Sequence, residues 1–315
     1  MKVLYHYDVG PWLRDRLNRM AQEEGLKVAI CSERDHEGFL EQMADTDVLL
    51  HNLEPVKDEH MAAAPKLKLV QKIGVGVNTI DLESAKARGI AVCNMPGTNS
   101  QAVSEMTLLL ILACLRRLPV FHTRTARGDG WGWPPAMQDT LGEVAGKTVG
   151  LVGNGSVPQL LTPVLKAMGA RVIFTKRGTP DPAMPEWVDK PTLLAESDII
   201  SLHIPLVDET RHWLDRGAIS QMKPGAILVN TARGPLVDEE ALAAALSTGR
   251  IMGAGLDVFA EEPSPANNPL FKLDNVVLAP HVAFFTLGTL ERSLAVASEN
   301  INRLRDGREL LHRVA

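Results

Sequence analysis

The sequence predicts an α/β protein built from two parallel-sheet domains, and three observations lead there. Short β-rich runs alternate with helical patterns through the first hundred residues, and the alternation restarts more strongly from Lys147. At 315 residues the chain is long for one hydrophobic core and comfortable for two. The run Val149-Gly150-Leu151-Val152-Gly153-Asn154-Gly155-Ser156-Val157-Pro158 ends a strand pattern on glycines and opens a helical one. That is the context of a dinucleotide fingerprint, where Gly153 and Gly155 let the backbone turn and the N–H groups of Ser156 and Val157 face a pyrophosphate.

Taken in order, residues 2–5, 27–30, 48–50 and 67–73 read as strands and Trp12–Glu24 as an amphipathic helix. Such alternation implies parallel strands joined by crossover helices. A helical stretch then runs from about Ser100 to Leu118. Within it Met106–Leu115 is apolar except for Thr107, about half the length of a membrane span, so a buried helix is expected. The polar segment Arg127–Pro135, with its glycines and two tryptophans, reads as a connector at a domain junction. Residues 148–152, 171–175, 198–202, 226–230, 251–256 and 275–279 follow as six buried strands, the number of a doubly wound dinucleotide domain. The last helical pattern, 287–305, has no strand after it.

Composition excludes several classes. With 45% apolar and 23% charged residues the chain is globular rather than disordered. A net charge of −5 without a Lys/Arg run argues against nucleic acid as a partner. No signal-peptide pattern opens the sequence and no run is long enough for a membrane span. Cys31, Cys93 and Cys114 are odd in number and widely spaced, which suits buried thiols in a reducing compartment, with the cytoplasm as the expected location. The histidines show no metal-ligand spacing, so no metal is expected.

Three further motifs each end a strand pattern and deliver one polar group. Asn230-Thr231-Ala232-Arg233-Gly234 supplies a guanidinium that can clamp a carboxylate bidentately. Leu256-Asp257-Val258-Phe259-Ala260-Glu261-Glu262-Pro263 supplies a carboxylate, and Ala279-Pro280-His281 an imidazole. An imidazolium held by a carboxylate can protonate a carbonyl oxygen while hydride arrives at carbon. In order and spacing, Arg233, Glu262 and His281 resemble the D-isomer-specific 2-hydroxyacid dehydrogenases, of the glyoxylate/hydroxypyruvate reductase kind, over nearly the whole chain. The resemblance implies two Rossmann-like doubly wound domains. The substrate domain, 1–98 and 287–315, is then discontinuous and completed by the C-terminal helix, and 99–286 form the dinucleotide-binding domain.

The resemblance also assigns roles. Arg233 contacts the substrate carboxylate and carbonyl, and His281 is the acid–base group, paired with Glu262 rather than Glu261 because Glu262 precedes Pro263. Asp257 would accept from the nicotinamide carboxamide. Ile204, Pro205, Thr231 and Ala232 line the cofactor, and His203 lies nearby with its backbone mattering more than its ring. In Lys72-Ile73-Gly74-Val75-Gly76-Val77-Asn78 the N–H groups near Val75 and Gly76 would receive the substrate carboxylate, although a tight strand–helix turn uses the same residues. Lys72 reads either as a cation for phosphorylated substrates or, by slight preference, as a solvated strand-end lysine. Pro96-Gly97-Thr98-Asn99 matches the hinge before the long helix. Leu53, Phe284 and Phe285 read equally as pocket or core. Pairing through the cofactor domains implies a homodimer.

Two departures from the family pattern bear on the cofactor. Pro158 replaces the third glycine, where proline fits the first helical turn, and Pro163 is expected to kink the same helix. Where an acidic residue would bind the ribose 2′-hydroxyl stand Lys176 and Arg177. Two cations suit a 2′-phosphate, so NADP(H) is expected, with NAD(H) and a merely solvated basic turn as the alternative. The expected activity is reduction of a small 2-keto acid. An NAD-linked dehydrogenase of a larger 2-hydroxy acid, such as 3-phosphoglycerate, and a corepressor-like cofactor sensor are the rival readings. Glu262 argues against formate oxidation, for which related enzymes carry glutamine.

Overall fold

A computed structural model describes residues 1–315, which divide into two compact units: Met1–Asn99 with Phe285–Ala315, and Ser100–Phe284. The first holds β1 (Lys2–His6), β2 (Lys27–Cys31), β3 (Val48–His51), β4 (Leu69–Lys72) and β5 (Ala91–Cys93) in the parallel order β2-β1-β3-β4-β5. β5 is missing from the sequence reading because three residues carry too little pattern. All four β3 residues are buried, as a central parallel strand covered on both faces requires.

Helix Pro11–Glu24 starts on a proline, whose missing N–H costs nothing there, and stops at Gly25 in the left-handed region (φ 65°). Its Leu13, Leu17 and Met20 share one face and are buried. The helix Leu287–Arg305 packs Leu290, Leu294, Ala297 and Ile301 into the same core as Val3, Tyr5, Leu50 and Leu69. The C-terminal segment therefore belongs physically to the N-terminal sheet. Asn300, fully buried, fixes that association: its amide donates to Gln71 Oε1 (2.6 Å) and Leu311 O (3.1 Å), and its carbonyl accepts from Leu311 N (2.8 Å).

The second unit holds β6 (Thr148–Val152), β7 (Arg171–Thr175), β8 (Ile199–Leu202), β9 (Ala226–Asn230), β10 (Ile251–Leu256) and β11 (Val276–Leu278). Their order is β11-β10-β9-β8-β6-β7, all parallel. Strand order reverses between β6 and β8, and in a doubly wound sheet the crevice at the carboxyl ends of such strands is where ligands bind. One local expectation needs correction. The long helix ends at Leu115 and a separate one spans Leu118–Ala126, with Arg117 between them in the left-handed region (φ 47°). Pro119 sits in the first turn of the second helix, where no N–H is needed. Pro163 does not interrupt its helix, which runs over Ser156–Ala167, while Pro158 is buried in its first turn. No helix is long and apolar enough to cross a membrane.

Replacing Asn300 with Ala strands the Gln71 and Leu311 groups in the core of the first unit. Leaving such groups unsatisfied costs about 1–3 kcal/mol, so urea unfolding should show a lower midpoint; an unchanged midpoint would mean that the C-terminal segment is held by its apolar face alone.

Candidate active site

Three neighbouring strand ends build the centre of the second unit. Asn230 closes β9, and its side chain shapes the following turn: Oδ1 accepts from Ala232 N (3.0 Å) and Nδ2 donates to Arg233 O (2.8 Å). Thr231 is tied to Thr107 by a hydroxyl–hydroxyl bond of 3.0 Å. The Arg233 guanidinium rests on Ala232 O (2.7 Å). Gly234 is required by space rather than by backbone angle, because a Cβ there would lie 1.9 Å from the Phe259 carbonyl. The Arg233 turn and the Phe259–Glu262 segment are thus in backbone contact, which no spacing argument reveals.

After β10, Glu262 folds back so that Oε1 accepts from Phe259 N (2.9 Å) and Oε2 meets His281 Nδ1 at 2.6 Å. Glu261 forms no hydrogen bond or ion pair, so the carboxylate beside the imidazole is Glu262. Burial pushes the Glu262 carboxyl up, but the hydrogen bond and charge of His281, the Phe259 N–H and the Arg233 charge outweigh it and hold the carboxyl below its ordinary range. It therefore stays ionised to lower pH than a free glutamate. With Nδ1 directed at Glu262, Nε2 is the nitrogen left for a ligand.

His281 itself has φ 57°, a left-handed conformation uncommon for any residue but glycine. Three bonds hold it there. His281 N donates to Asp257 O (2.7 Å), and Val282 N and Ala283 N donate to Asp257 Oδ1 and Oδ2 (2.9 Å each). The Asp257 carboxylate has no exposed surface and both its oxygens are occupied by these donors. Asp257 thus supports the His281 turn through both carboxylate oxygens.

The loops after β6, β7 and β8 converge at the fingerprint. Gly153 (φ 109°) donates to Thr175 O (2.8 Å), and a Cβ on it would lie 2.7 Å from His203 O. Nothing lies within 4 Å of a Cβ built on Gly155, and Ser156 and Val157 open the helix with N–H groups that have no intrahelical partner. A glycine turn, open space and a helix N-terminus together fit the pyrophosphate of a dinucleotide. His203 bonds to Ser201 Oγ (2.9 Å), and burial pushes it down to about 4, so it is a neutral internal ring. Ile204 borders the Gly153 turn, and Pro205 O accepts from Thr210 Oγ1 (2.7 Å). Lys176 and Arg177 are exposed just after β7 and form no ion pair. The Lys176 ammonium lies 4.2 Å from the Trp187 ring centroid, and Trp187 stacks in turn on Phe174. Sequence reasoning missed Trp187, which lies in an irregular segment without periodicity.

Val75 and Gly76 belong to the first unit. Their loop is anchored by Met95 N to Gly74 O (2.8 Å) and Asn94 Nδ2 to Val75 O (2.9 Å), and Gly74 takes φ 146°. Val75 is exposed at the loop tip. The reading of Lys72 as a solvated lysine is wrong: it is buried, and its ammonium donates to Asn52 O and lies 3.5 Å from Thr79 Oγ1. The cause is position, since β4 is flanked by β3 and β5 and its end is covered. Phe284 packs edge-on to His281 at 6.1 Å, whereas Phe285 is half exposed near Tyr7.

Comparison with known proteins gives concordant matches. The family model for the D-isomer specific 2-hydroxyacid dehydrogenase, NAD binding domain, matches residues 108–283. A glyoxylate reductase of Thermofilum pendens is 41% identical over 273 residues, 84% of this chain and 80% of that protein. A Thermus thermophilus crystal structure superposes with a TM-score of 0.89 at 37% identity, covering all of both chains. An acyclic imino acid reductase in complex with NADPH and D-Arg superposes with a TM-score of 0.84 at 30% identity, again over both whole chains.

Because Gly234 lies against the Phe259 carbonyl, Gly234→Ala should force the two segments apart. Overpacking of this kind costs about 1–3 kcal/mol, visible as a lowered unfolding midpoint. A variant as stable as the parent would contradict the backbone contact.

Proposed function

The chain belongs to the D-isomer specific 2-hydroxyacid dehydrogenase family, and on that premise we propose that it reduces a small 2-keto acid of glyoxylate or hydroxypyruvate type to the D-2-hydroxy acid, with NADPH preferred over NADH. The observation that carries the reading is the 2.6 Å contact between His281 Nδ1 and Glu262 in the same strand-end cluster as Arg233. A nicotinamide dinucleotide, when bound at the fingerprint, supplies the hydride.

The remaining chemistry belongs to this chain. Arg233 pairs with the substrate carboxylate and steadies its carbonyl, and the N–H groups at Val75 and Gly76 are further candidate donors to a carboxylate. His281 holds a proton on Nε2 and delivers it to the carbonyl oxygen, so no free alkoxide forms. Glu262, held ionised to lower pH than a free glutamate, fixes the ring through Nδ1. In the oxidation direction the neutral ring takes the hydroxyl proton. Thr231, Ala232, Ile204 and Pro205 line the dinucleotide beside the glycine turn.

Cofactor preference rests on Lys176 and Arg177, two exposed cations after β7 where a ribose phosphate would find charge-assisted donors. Assembly rests on an apolar hollow of about 620 Å³ in the second unit, lined by residues including Leu109, Leu112, Leu118, Phe121 and Trp133. Leu109 and Leu118 are more than half exposed there, which suits burial against a second copy and hence a homodimer. Three buried, unpaired cysteines suit a reducing cytoplasm.

His281→Ala should lower kcat by orders of magnitude with cofactor affinity nearly unchanged, since the proton donor acts in the transition state. Glu262→Gln replaces the charged partner of His281 Nδ1 by a neutral one of the same size, so kcat should fall while cofactor affinity holds. An unchanged kcat would take Glu262 out of the mechanism.

For the cofactor, charge-assisted bonds contribute roughly 1.5–3 kcal/mol each, about tenfold or more in affinity. Lys176→Asp should weaken NADPH and improve NADH, read as kcat/KM for each. A parent enzyme that prefers NADH would reduce the basic pair to a solvated turn. Light scattering should give twice the 34.3 kDa chain mass, and a monomer at micromolar concentration would contradict the dimer.

A further inference from the structure

The Gln71 side chain has no exposed surface, and its amide bridges the ends of the two strands that lead into the Gly74–Gly76 loop and away from it. We propose that Gln71 is a positioning residue for the substrate-carboxylate loop: it fixes Asn94 and the end of β4, and through them sets where the Val75 and Gly76 N–H groups stand. The inference deepens the proposed function, resting on it for the role of those two N–H groups.

The main-chain ladder between β4 and β5 ends at the pair Gln71–Cys93. Beyond that pair the Gln71 side chain takes over. Its Nε2 donates to Lys72 O (3.2 Å) and Cys93 O (3.2 Å) and reaches Asn94 O at 3.4 Å, so one amide holds both diverging segments. Its orientation is set from the far side. Leu311 N donates to Asn300 Oδ1 (2.8 Å), which leaves the Asn300 nitrogen to face Gln71 Oε1 at 2.6 Å. Gln71 must then turn its nitrogen to the three carbonyl groups. Away from water, the opposite orientation would leave a buried donor and acceptor unmet.

Asn94 carries this hold to the loop. Its N–H donates to His312 O (3.1 Å), its carbonyl receives Gln71 Nε2, and its side-chain amide donates to Val75 O (2.9 Å). Met95 N adds a bond to Gly74 O (2.8 Å). The segment that supplies His312 O is itself laid along β5, by Val314 N to Val92 O (2.8 Å) and Val92 N to Ala315 O (3.1 Å). The loop tip is exposed at Val75, while its base is joined to a buried polar network that reaches Asn300 in the helix Leu287–Arg305. A fully paired network of this kind keeps a backbone at one geometry, so its N–H groups meet a carboxylate without reorganising.

The test uses the full chain with Gln71→Met, a side chain of similar length that fills the space and makes none of these bonds. KM for glyoxylate should rise about tenfold with kcat near that of the parent, the pattern of a charge-assisted contact weakened equally in ground and transition states. Inhibition by oxalate, which carries the carboxylate without a reducible carbonyl, should weaken in parallel. Amide exchange at Met95 should speed up while Leu49 and Leu50 of the central strand β3 stay protected. Kd for NADPH should stay within about twofold of the parent, because the fingerprint belongs to the other unit. Asn94→Ala cuts the last link and leaves the buried amides paired, so it decides the matter if Gln71→Met does not fold: an unchanged KM there overturns the proposal. Faster exchange at Met95 with unchanged KM in Gln71→Met overturns it as well, since Gln71 would then support the fold alone. So does a fall in kcat at unchanged KM, which would assign the loop to the reaction step. If the unmodified protein turns over no 2-keto acid, the proposed function fails, and exchange at Met95 decides by itself whether Gln71 holds the loop.

Discussion

The main-chain bond from Asp257 to Asn230 joins the ends of two adjacent parallel strands, and the candidate chemistry hangs from that pair of residues. Asn230 spends its amide on the turn that carries Arg233, and Asp257 spends its carboxylate on the turn that carries His281. Both side chains are buried, so their bonds form in a medium where an unmet donor or acceptor is costly. The turns are consequently fixed by the sheet, and Gly234 lets the Arg233 turn lie against the Phe259–Glu262 segment. Glu262 and His281 then meet without either residue being part of a regular element.

Much of this order was visible in the amino-acid sequence. Buried parallel strands are dense in Val, Ile and Leu, and four of the six strands in the second unit have the boundaries that such runs suggest, Ala226–Asn230 among them. The C-terminal helix Leu287–Arg305 was equally plain, because its buried face repeats with helical period. Where pattern was short or absent the reading failed. Ala91–Cys93 is too brief to register, and a break at Arg117 depends on one backbone angle that composition does not encode. At the site, residue types and spacing identified Arg233, Glu262 and His281 as candidates. The supporting roles of Asn230, Gly234 and Asp257 were not legible, since each acts through a contact made only after folding. Lys72 failed for a related reason: a lysine at a strand end looks solvated until the flanking strands are known to cover it.

The dinucleotide site follows a different logic, in which backbone matters more than side chains. Gly153 and Gly155 leave room, the helix at Ser156 offers N–H groups, and Pro158 is accommodated because the first turn needs no donor from it. Under the proposed function, cofactor choice falls to exposed side chains after β7, where the Lys176 ammonium lies over the Trp187 face. A cation over an aromatic face contributes about 0.5–1 kcal/mol at an exposed site, enough to bias where the ammonium rests and too little to prevent it from reaching a phosphate.

The central claim is that this strand-end cluster delivers a proton to one face of a 2-keto acid while hydride arrives from the other. Chiral chromatography of the product tests it most directly. Hydroxypyruvate incubated with the protein and reduced cofactor should yield the D-2-hydroxy acid alone, and the His281→Ala variant should yield almost none. Formation of the L-isomer, a racemic product, or equal yield from the variant would contradict the account.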